Sequence, residues 1–351
     1  MSLLEPHLNP GIAWTTDRGK TTPLHFGDPE AELQGLLVRC GCVDFSHRGT
    51  VVLSGMDRTT FLGGLVTNQV KDLRPDRCLY TAMLSPQGRF QWDFTLLDHG
   101  ETVVLDTEPD AVDALVSALN FYRLRSKVAI EVPQQRWGIL GVVGPDAGYA
   151  LAKVFPGIDF AGASLGTVWP LDEQLKIWRD PRHPAFGFRL RVPGDGFFDL
   201  WQRMAAVAPA AGCVAWETCR IINALPRGGA EWLPGETLPL EAGALEMNAV
   251  SFQKGCYVGQ ETTARTHHRG TLKKRLFHLS IDGVGELPLG TPVVLPSGRE
   301  VGAVTSIVVH GGGLRGLAVL RLSDVATGLP LTALGRAVSV RKPEWATWEL
   351  S

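Results

Sequence analysis

The spacing of apolar residues predicts a mixture of strands and helices up to about residue 271. Short buried runs and every-second-position alternation predict strands, whereas spacing near 3.6 residues predicts helices. The predicted strands are residues 42–46, 49–53, 79–84, 90–96, 103–106, 137–143, 175–178 and 186–192. The predicted helices begin at Asp28, Asp57 and Pro109 or cover residues 146–155, 197–207 and 214–225. Strands and helices do not alternate regularly, so we expect an α+β fold rather than a doubly wound sheet.

Two local signals add detail to this pattern. Asp28 and Asp57 each precede a predicted helix, where an aspartate side chain accepts from free N–H groups of the first turn. Ser85-Pro86-Gln87-Gly88 suits a tight turn with proline at its second position. The strand after this turn alternates Phe90, Trp92, Phe94 and Leu96, which predicts that Asp93 points to the opposite face.

The last part of the chain reads as strands alone. Five candidate strands separated by glycine-rich and proline-rich turns predict a small closed β-barrel, and they are residues 272–281, 292–295, 301–309, 316–322 and 337–340. We therefore expect two domains. Residues 1–271 form an α+β region with subdomains at about 1–135 and 136–271, and residues 272–351 form the barrel.

Charge and composition restrict the class of function. Lys and Arg total 34 against 36 Asp and Glu, a net charge of −2, which argues against direct nucleic-acid binding. The six cysteines are too sparse for a disulfide scaffold and lack paired metal-ligand spacing, so we expect no resident metal. The first residues do not resemble a signal peptide, and the apolar runs are too short to cross a membrane. We expect a cytoplasmic protein with reduced thiols.

The most informative segment surrounds Cys256, in the string Lys254-Gly255-Cys256-Tyr257-Val258-Gly259-Gln260-Glu261. Gly255 and Gly259 permit unusual backbone conformations, and Gln260-Glu261 begins a predicted helix. From residue 254 to residue 275 there are six Lys and Arg against one acid, Glu261. Positive charge and a helix N-terminus favour a thiolate, so Cys256 is the candidate reactive sulfur. A buried cysteine on a tight turn is the alternative, and the basic run would also suit a polyanion such as a polyglutamate tail.

This string, continued to Arg265, resembles the signature of the YgfZ family of folate-binding proteins. That family is related to the T-protein, the aminomethyltransferase of the glycine cleavage system. Weaker matches are Val52 to Leu62 with Val66-Thr67-Asn68-Gln69-Val70, where the family often has Asn-Asp, and the turn at Ser85-Pro86-Gln87-Gly88-Arg89. The barrel-like C-terminal region also lies where the family carries one.

The resemblance implies a ring of α+β subdomains around a central channel, followed by the barrel. It implies tetrahydrofolate or a derivative as the ligand, with its glutamate tail toward basic residues. It implies a role in assembly or repair of iron–sulfur client proteins, including enzymes that modify tRNA. Cys256 would be the functional thiol. The residues carried over to the folate site are Lys254, Gly255, Tyr257, Gly259, Gln260, Glu261, Arg265 and Asn68.

Two departures concern how the pterin would be recognised. The T-protein uses a glutamate where this chain has Ile222, and an apolar side chain cannot accept from the pterin N–H groups. Glu217 or Glu231 could take over that role. The T-protein also has two adjacent acids on the strand after the turn, whereas here Asp93 follows Trp92. Asp93 is therefore a candidate catalytic residue if its face lines the channel, and a surface residue if that face meets water.

Two other functions stay open. An aminomethyltransferase of the glycine cleavage type would share the fold and would need a carboxylate near the folate. A thiol-nucleophile enzyme would need a histidine beside Cys256, for which His267 and His268 are the sequence neighbours.

Overall fold

The computed structural model describes residues 2–8, 12–172, 174–270 and 272–349, and its strands form three sheets and one barrel. The strands of the first two thirds are β1 (Ala13–Asp17), β2 (Lys20–His25), β3 (Gly41–Asp44), β4 (Gly49–Ser54), β5 (Leu79–Leu84), β6 (Phe90–His99), β7 (Thr102–Thr107), β8 (Ala129–Glu131), β9 (Trp137–Val143), β10 (Val168–Pro170), β11 (Lys176–Arg179), β12 (Phe188–Pro193) and β13 (Ala210–Ala211). The barrel strands are β14 (Lys274–Ile281), β15 (Pro292–Val294), β16 (Glu300–His310), β17 (Gly313–Arg321), β18 (Leu331–Ala333) and β19 (Arg336–Arg341).

The helices are α1 (Pro29–Val38), α2 (Arg58–Gly63), α3 (Val112–Arg123), α4 (Ala147–Val154), α5 (Phe197–Ala205), α6 (Cys213–Ile222), α7 (Gln260–Arg269) and the single turn α8 (Leu322–Val325). The side chain of Asp28 caps α1 by accepting from Glu30 N and Ala31 N, as predicted. Asp57 does not cap α2, because its carboxylate accepts instead from Lys127 N at 2.7 Å. That bond links the start of α2 to the segment just before β8.

The five-stranded sheet has the antiparallel order β5-β6-β7-β4-β8. A register shift separates Met83↔Trp92 from Leu84↔Phe90, which leaves one extra residue on β6. This bulge moves Phe90 to the face opposite Phe94, where it contacts Trp232 with ring centroids 5.5 Å apart. The predicted common face for Phe90 and Phe94 is therefore wrong.

The six-stranded sheet has the order β10-β11-β12-β9-β3-β13 and is antiparallel except between β13 and β3. In β12, Phe188, Leu190 and Val192 join one apolar core. Arg189 and Arg191 alternate with them and so point to the other face, where both are only 3% exposed. The face of this sheet that packs against the rest of the protein thus carries two buried cations, Arg189 and Arg191.

The C-terminal barrel is closed by six strands in the order β14-β17-β16-β15-β18-β19. One more strand is present than the five predicted, namely the three-residue strand β18. Ile221 of α6 and Ala224 just after it pack on the barrel, where they share an apolar cluster with Leu276 and Leu317. The α+β class and the barrel are confirmed, and the domain boundaries near residues 135 and 271 stay predictions.

Candidate functional site

A cavity of about 360 Å³ lies between the cationic face of the six-stranded sheet, the start of β4 and helix α6. Its apolar wall includes the rings of Phe45, Phe186 and Trp216. Its charged wall includes Asp17, Asp44, Arg48, Glu108, Arg182, Arg189, Glu217, Arg220 and Arg227. Aromatic side chains beside groups that can fix a ligand's orientation are typical of a pocket for a small organic ligand, and the many charges indicate a polar one.

Glu108 is an acid of this wall that arginines hold ionised. Arg48 contacts Asp106 at 2.6 Å and Glu108 at 2.9 Å. Burial alone would raise the pKa of Glu108, but the guanidinium groups of Arg48 and Arg18 outweigh it and lower that pKa to about 2. Glu108 is therefore a charged, paired group and not a proton donor at neutral pH.

Glu217 presents an ionised carboxylate to the cavity. Burial would raise its pKa, yet Arg220 and Arg227 lower that pKa to about 2. Both of its oxygens accept from Arg220, Oε2 from Nε at 2.9 Å and Oε1 from Nη2, and the side chain is still 28% exposed, so a ligand could bind only through the lone pairs that remain. Ile222 packs against the hydrophobic core. Glu217, which we predicted could replace the missing pterin-binding glutamate, therefore lies on the cavity wall, one turn before Ile222 on α6.

Glu231, the other predicted substitute, is buried and bonded to other parts of the protein. It is 1% exposed and contacts Arg220 Nη1 at 2.9 Å. Thr305 donates to it at 3.1 Å, and Ser306 of the barrel also donates to it. Because its oxygens bind the barrel and Arg220, Glu231 joins the domains rather than facing a ligand.

Arg189 brings an unused hydrogen-bond donor to the cavity. Its guanidinium carbon lies 3.9 Å from the centroid of the Phe45 ring, and Nε is 3.7 Å from Asp180. Its Nη1 has no hydrogen-bond partner among the described residues. Burial lowers the pKa of Arg189 to about 9. A ligand atom that accepts hydrogen bonds would remove the cost of this orphaned donor.

Asp93 is buried beside the cavity rather than on the wall described above. Tyr80 donates its hydroxyl to Asp93 Oδ2 at 2.6 Å, and a Cβ on Gly228 would lie 2.0 Å from Oδ1. Burial and the nearby Glu108 raise the pKa of Asp93. Neither of the two predicted surroundings, open channel or bulk water, describes this packed position.

Asn68 holds two chain segments together. Its Nδ2 donates to Tyr80 O at 2.8 Å and to Asn248 O at 2.7 Å, and its Oδ1 accepts from Gln69 N. Both side-chain groups are therefore occupied by the protein. A folate contact through Asn68 stays a prediction.

The loop that carries Cys256 is anchored by the residues on either side of it. Lys254 Nζ donates to Gly63 O at 2.8 Å and to Val66 O, at the end of α2. The same ammonium lies 4.3 Å from the centroid of the Tyr257 ring, which is itself buried. Burial lowers the pKa of Lys254 to about 8, whereas the neighbouring Cys256 has the opposite effect.

The two glycines of the motif differ in what they require. Gly259 has φ +83°, and a Cβ there would lie 2.5 Å from Ser85 O. Gly255 has no left-handed φ and open space around the position of a Cβ, so it needs no glycine-specific conformation. The predicted conformational role therefore applies to Gly259 and is wrong for Gly255.

Helix α7 begins at Gln260, as predicted. Gln260 Oε1 accepts from Tyr257 N at 3.3 Å, which closes the turn before the helix. Glu261 and Arg265 form an ion pair one helical turn apart, and both are exposed. These three residues lie on the loop and helix that follow Cys256, and their folate contacts stay predictions.

The thiol of Cys256 is exposed and is separate from the wall of the cavity. All six cysteines are described, and the other five are buried or half-buried. Phe252, on the segment before the Cys256 loop, stacks on His267 with ring centroids 3.9 Å apart. Within the described ranges, no group of three or more His, Cys, Asp and Glu side chains could hold a metal ion. The cavity and the thiol are thus two distinct features, of which the sequence pattern identified the thiol and Glu217 but not Arg189.

Comparison with known proteins agrees with this architecture. The GCVT N-terminal domain family matches residues 7–252, and the CAF17 C-terminal β-barrel domain matches residues 273–348. The chain is 31% identical to the human mitochondrial iron-sulfur cluster assembly factor IBA57, covering 91% of this chain and 87% of the relative. It is 29% identical to the mouse mitochondrial protein of the same name, covering 87% and 85%.

A solved structure shows the same fold. The glycine cleavage system aminomethyltransferase T from Bartonella henselae matches with a TM-score of 0.84 at 18% identity, covering 98% of this chain and 97% of that one. At that identity the likeness concerns the fold alone. In the described part of the chain, none of the helices has the length and apolar character to cross a membrane. The chain belongs to the GCVT N-terminal domain family, and a CAF17-type β-barrel completes it.

Proposed function

We propose that this protein is an accessory factor for the assembly or repair of iron–sulfur proteins, that it binds tetrahydrofolate or a derivative, and that Cys256 is its working thiol. The observation that carries the proposal is the display of one exposed sulfur on an anchored loop. Lys254, Tyr257 and Gly259 fix the backbone around Cys256 while its side chain reaches solvent.

An exposed and anchored thiol suits contact with another protein. A thiolate is a soft ligand of the kind that binds iron in clusters. A sulfur at the surface can reach iron held by a client, whereas a sulfur inside the 360 Å³ cavity could not. The iron–sulfur role of the relatives, as their names state it, supports this assignment.

The folate part of the proposal rests on the cavity. A pterin has N–H donors and ring acceptors on one planar system. Glu217 supplies an ionised acceptor, Arg189 supplies an unpartnered donor, and Phe45 and Trp216 supply aromatic surface. These groups fit a pterin without a glutamate at the position of Ile222.

The residues of the Cys256 motif then fall into two groups, those that hold the loop and those that would contact a client. We propose that Lys254 and Gly259 hold the thiol loop, and that the exposed Glu261 and Arg265 lie where a client would dock. A direct folate contact through these four residues stays the alternative prediction.

Complementation in cells tests the role of the thiol. In a strain that lacks this gene, wild-type protein should restore the activity of iron–sulfur enzymes, including those that modify tRNA. Cys256→Ala should restore little or none. Cys40→Ala, at a buried cysteine outside the cavity wall, is the matched control and should restore activity. Full restoration by Cys256→Ala at equal protein level would refute the proposal.

An aminomethyltransferase of the glycine cleavage type is the competing function. It needs a carboxylate that a folate-bound substrate can reach, and Asp93 is packed against Gly228 and Tyr80. Turnover with purified glycine cleavage partners would favour this function over ours. The cytoplasmic location stays a prediction, while the relatives' names place those proteins in mitochondria.

A further inference from the structure

Three basic side chains meet at the interface of the five-stranded and six-stranded sheets, apart from the wall of the 360 Å³ cavity. Lys176 of β11 and Arg191 of β12 are direct partners in the antiparallel register. They are 8% and 3% exposed. The third residue, His99, is the last residue of β6 in the opposing sheet. The charges of Lys176 and Arg191 both lower its pKa.

This arrangement is costly without an anion. Like charges placed opposite each other on neighbouring strands repel, and a buried charge requires a partner. Other buried arginines of this protein have one, such as Arg182 with Asp180 at 2.6 Å. Within the described residues, neither Lys176 nor Arg191 has a carboxylate oxygen inside 4.0 Å.

The hydrogen-bond donors of the cluster are also incompletely used. Lys176 Nζ donates to Asp98 O at 3.1 Å. The guanidinium of Arg191 lies over Trp137, with its carbon 3.6 Å from the ring centroid. The stacking leaves Arg191 Nε buried without a hydrogen-bond partner in the described structure. His99 Nε2 is also buried without a hydrogen-bond partner among the described residues.

Asp98 raises the pKa of Lys176 and Asp106 raises that of Arg191, but burial has the larger effect and lowers the pKa of both cations. Burial, Lys176 and Arg191 together lower the pKa of His99 to about 3. Burial also lowers the pKa of Arg191 to about 10, with Asp106 acting in the opposite direction. An oxyanion between these side chains would raise the pKa of all three, against the effect of burial.

We propose that Lys176, Arg191 and His99 form a binding site for a small oxyanion, either a phosphate or a carboxylate group. The planar guanidinium of Arg191 is suited to two oxygens of such a group, and the ammonium of Lys176 supplies the second charge. The Nε2 of His99 donates when it carries the proton. The site lies outside the cavity that we propose for folate, so the two assignments can fail independently.

Thermal unfolding of the full chain with inorganic phosphate tests this site. Phosphate should raise the midpoint temperature saturably, by about 2 °C or more, above the value in sodium chloride of matched ionic strength. Arg191→Met keeps an unbranched side chain over Trp137 but removes the donors, and it should abolish the phosphate-specific rise. Arg123→Met removes an exposed arginine of α3 and should retain it. Glutarate in place of phosphate shows whether carboxylates share the site.

A second variant keeps the test decisive if Arg191→Met does not fold. Lys176→Met should reduce the phosphate-specific rise in the same way. The line width of the phosphorus NMR signal of phosphate should increase with wild-type protein and decrease with excess glutarate if both bind there. Absence of a saturable rise in wild type, or an equal rise in the folded variants, would overturn the proposal and leave water as the partner of these donors.

Discussion

Gly88 and Gly259 lie against each other, so that a Cβ on Gly259 would be 3.1 Å from Gly88 Cα. Gly88 ends the turn between β5 and β6, and Gly259 immediately precedes α7. A Cβ on Gly88 would in turn lie 2.7 Å from Thr262 Cβ. Two motifs that are distant in sequence are therefore one structural unit, and the turn in the five-stranded sheet supports the loop that displays Cys256.

This contact predicts unequal effects for alanine at the two glycines of the thiol motif. Gly259→Ala should lower the free energy of unfolding by about 1–3 kcal/mol from its φ of +83°, with a further cost from overlap with Ser85 O. Gly255→Ala, which meets open space, should change it by less than about 0.5 kcal/mol. Urea denaturation of both variants provides the comparison, and equal effects would contradict the geometry.

Buried and exposed ion pairs should differ strongly in their contribution to stability. Arg220 is 1% exposed and contacts Glu231 of the segment that meets the barrel, so Arg220→Met leaves a buried carboxylate unpaired. We expect a loss of about 3–5 kcal/mol in the free energy of unfolding. Arg265→Ala breaks the exposed pair with Glu261 and should cost less than about 1 kcal/mol. Chemical denaturation followed by tryptophan fluorescence would measure both losses.

Asp93 should make the protein less stable at neutral pH than an uncharged side chain would. Its pKa is raised above the ordinary value of 3.8, so the folded state binds more protons between 3.8 and the raised pKa. Stability from this group therefore falls as the pH rises through that window. Asp93→Asn keeps an acceptor for Tyr80 and should gain stability relative to wild type at pH 7. The gain should disappear below about pH 4, and a gain that persists there would have another cause.

His278 of the barrel should contribute to acid sensitivity. Burial, Arg341 and Arg315 lower its pKa to about 4, and both ring nitrogens lack a hydrogen-bond partner among the described residues. The unfolded chain takes up this proton near the ordinary value of 6.5, so stability is lost as the pH falls from 6.5 toward 4. His278→Phe should flatten the pH profile of the midpoint temperature over that range. The exposed His268→Gln is the control, and an unchanged profile in His278→Phe would exclude this residue.

The elements that local patterns determine could be predicted, and those that depend on distant contacts could not. The sequence predicts strand β9 with its observed bounds because its seven residues form one apolar run, of which the last six are buried. The failure of Asp57 as a helix cap depends on Lys127, which no local pattern reveals. The bulge in β6 that separates Phe90 from Phe94 also depends on its partner strand.

The same division holds for the candidate site. Cys256 and Glu217 stood out in the sequence by motif and by helical spacing. Arg189 and Arg191 alternate with apolar residues in β12, a pattern that normally indicates a solvent face. The opposing sheet covers that face, so these arginines became visible as candidate ligand-binding groups only in the folded protein.

We propose that the cavity recognises folate and that the thiol acts on clients, as two separate functions of the protein. A titration with tetrahydrofolate, carried out on wild type, Cys256→Ala and Glu217→Gln, tests that separation most directly. We predict that Cys256→Ala binds as tightly as wild type and that Glu217→Gln binds at least tenfold more weakly, about 1.4 kcal/mol. Loss of binding in Cys256→Ala with full binding in Glu217→Gln would contradict the account.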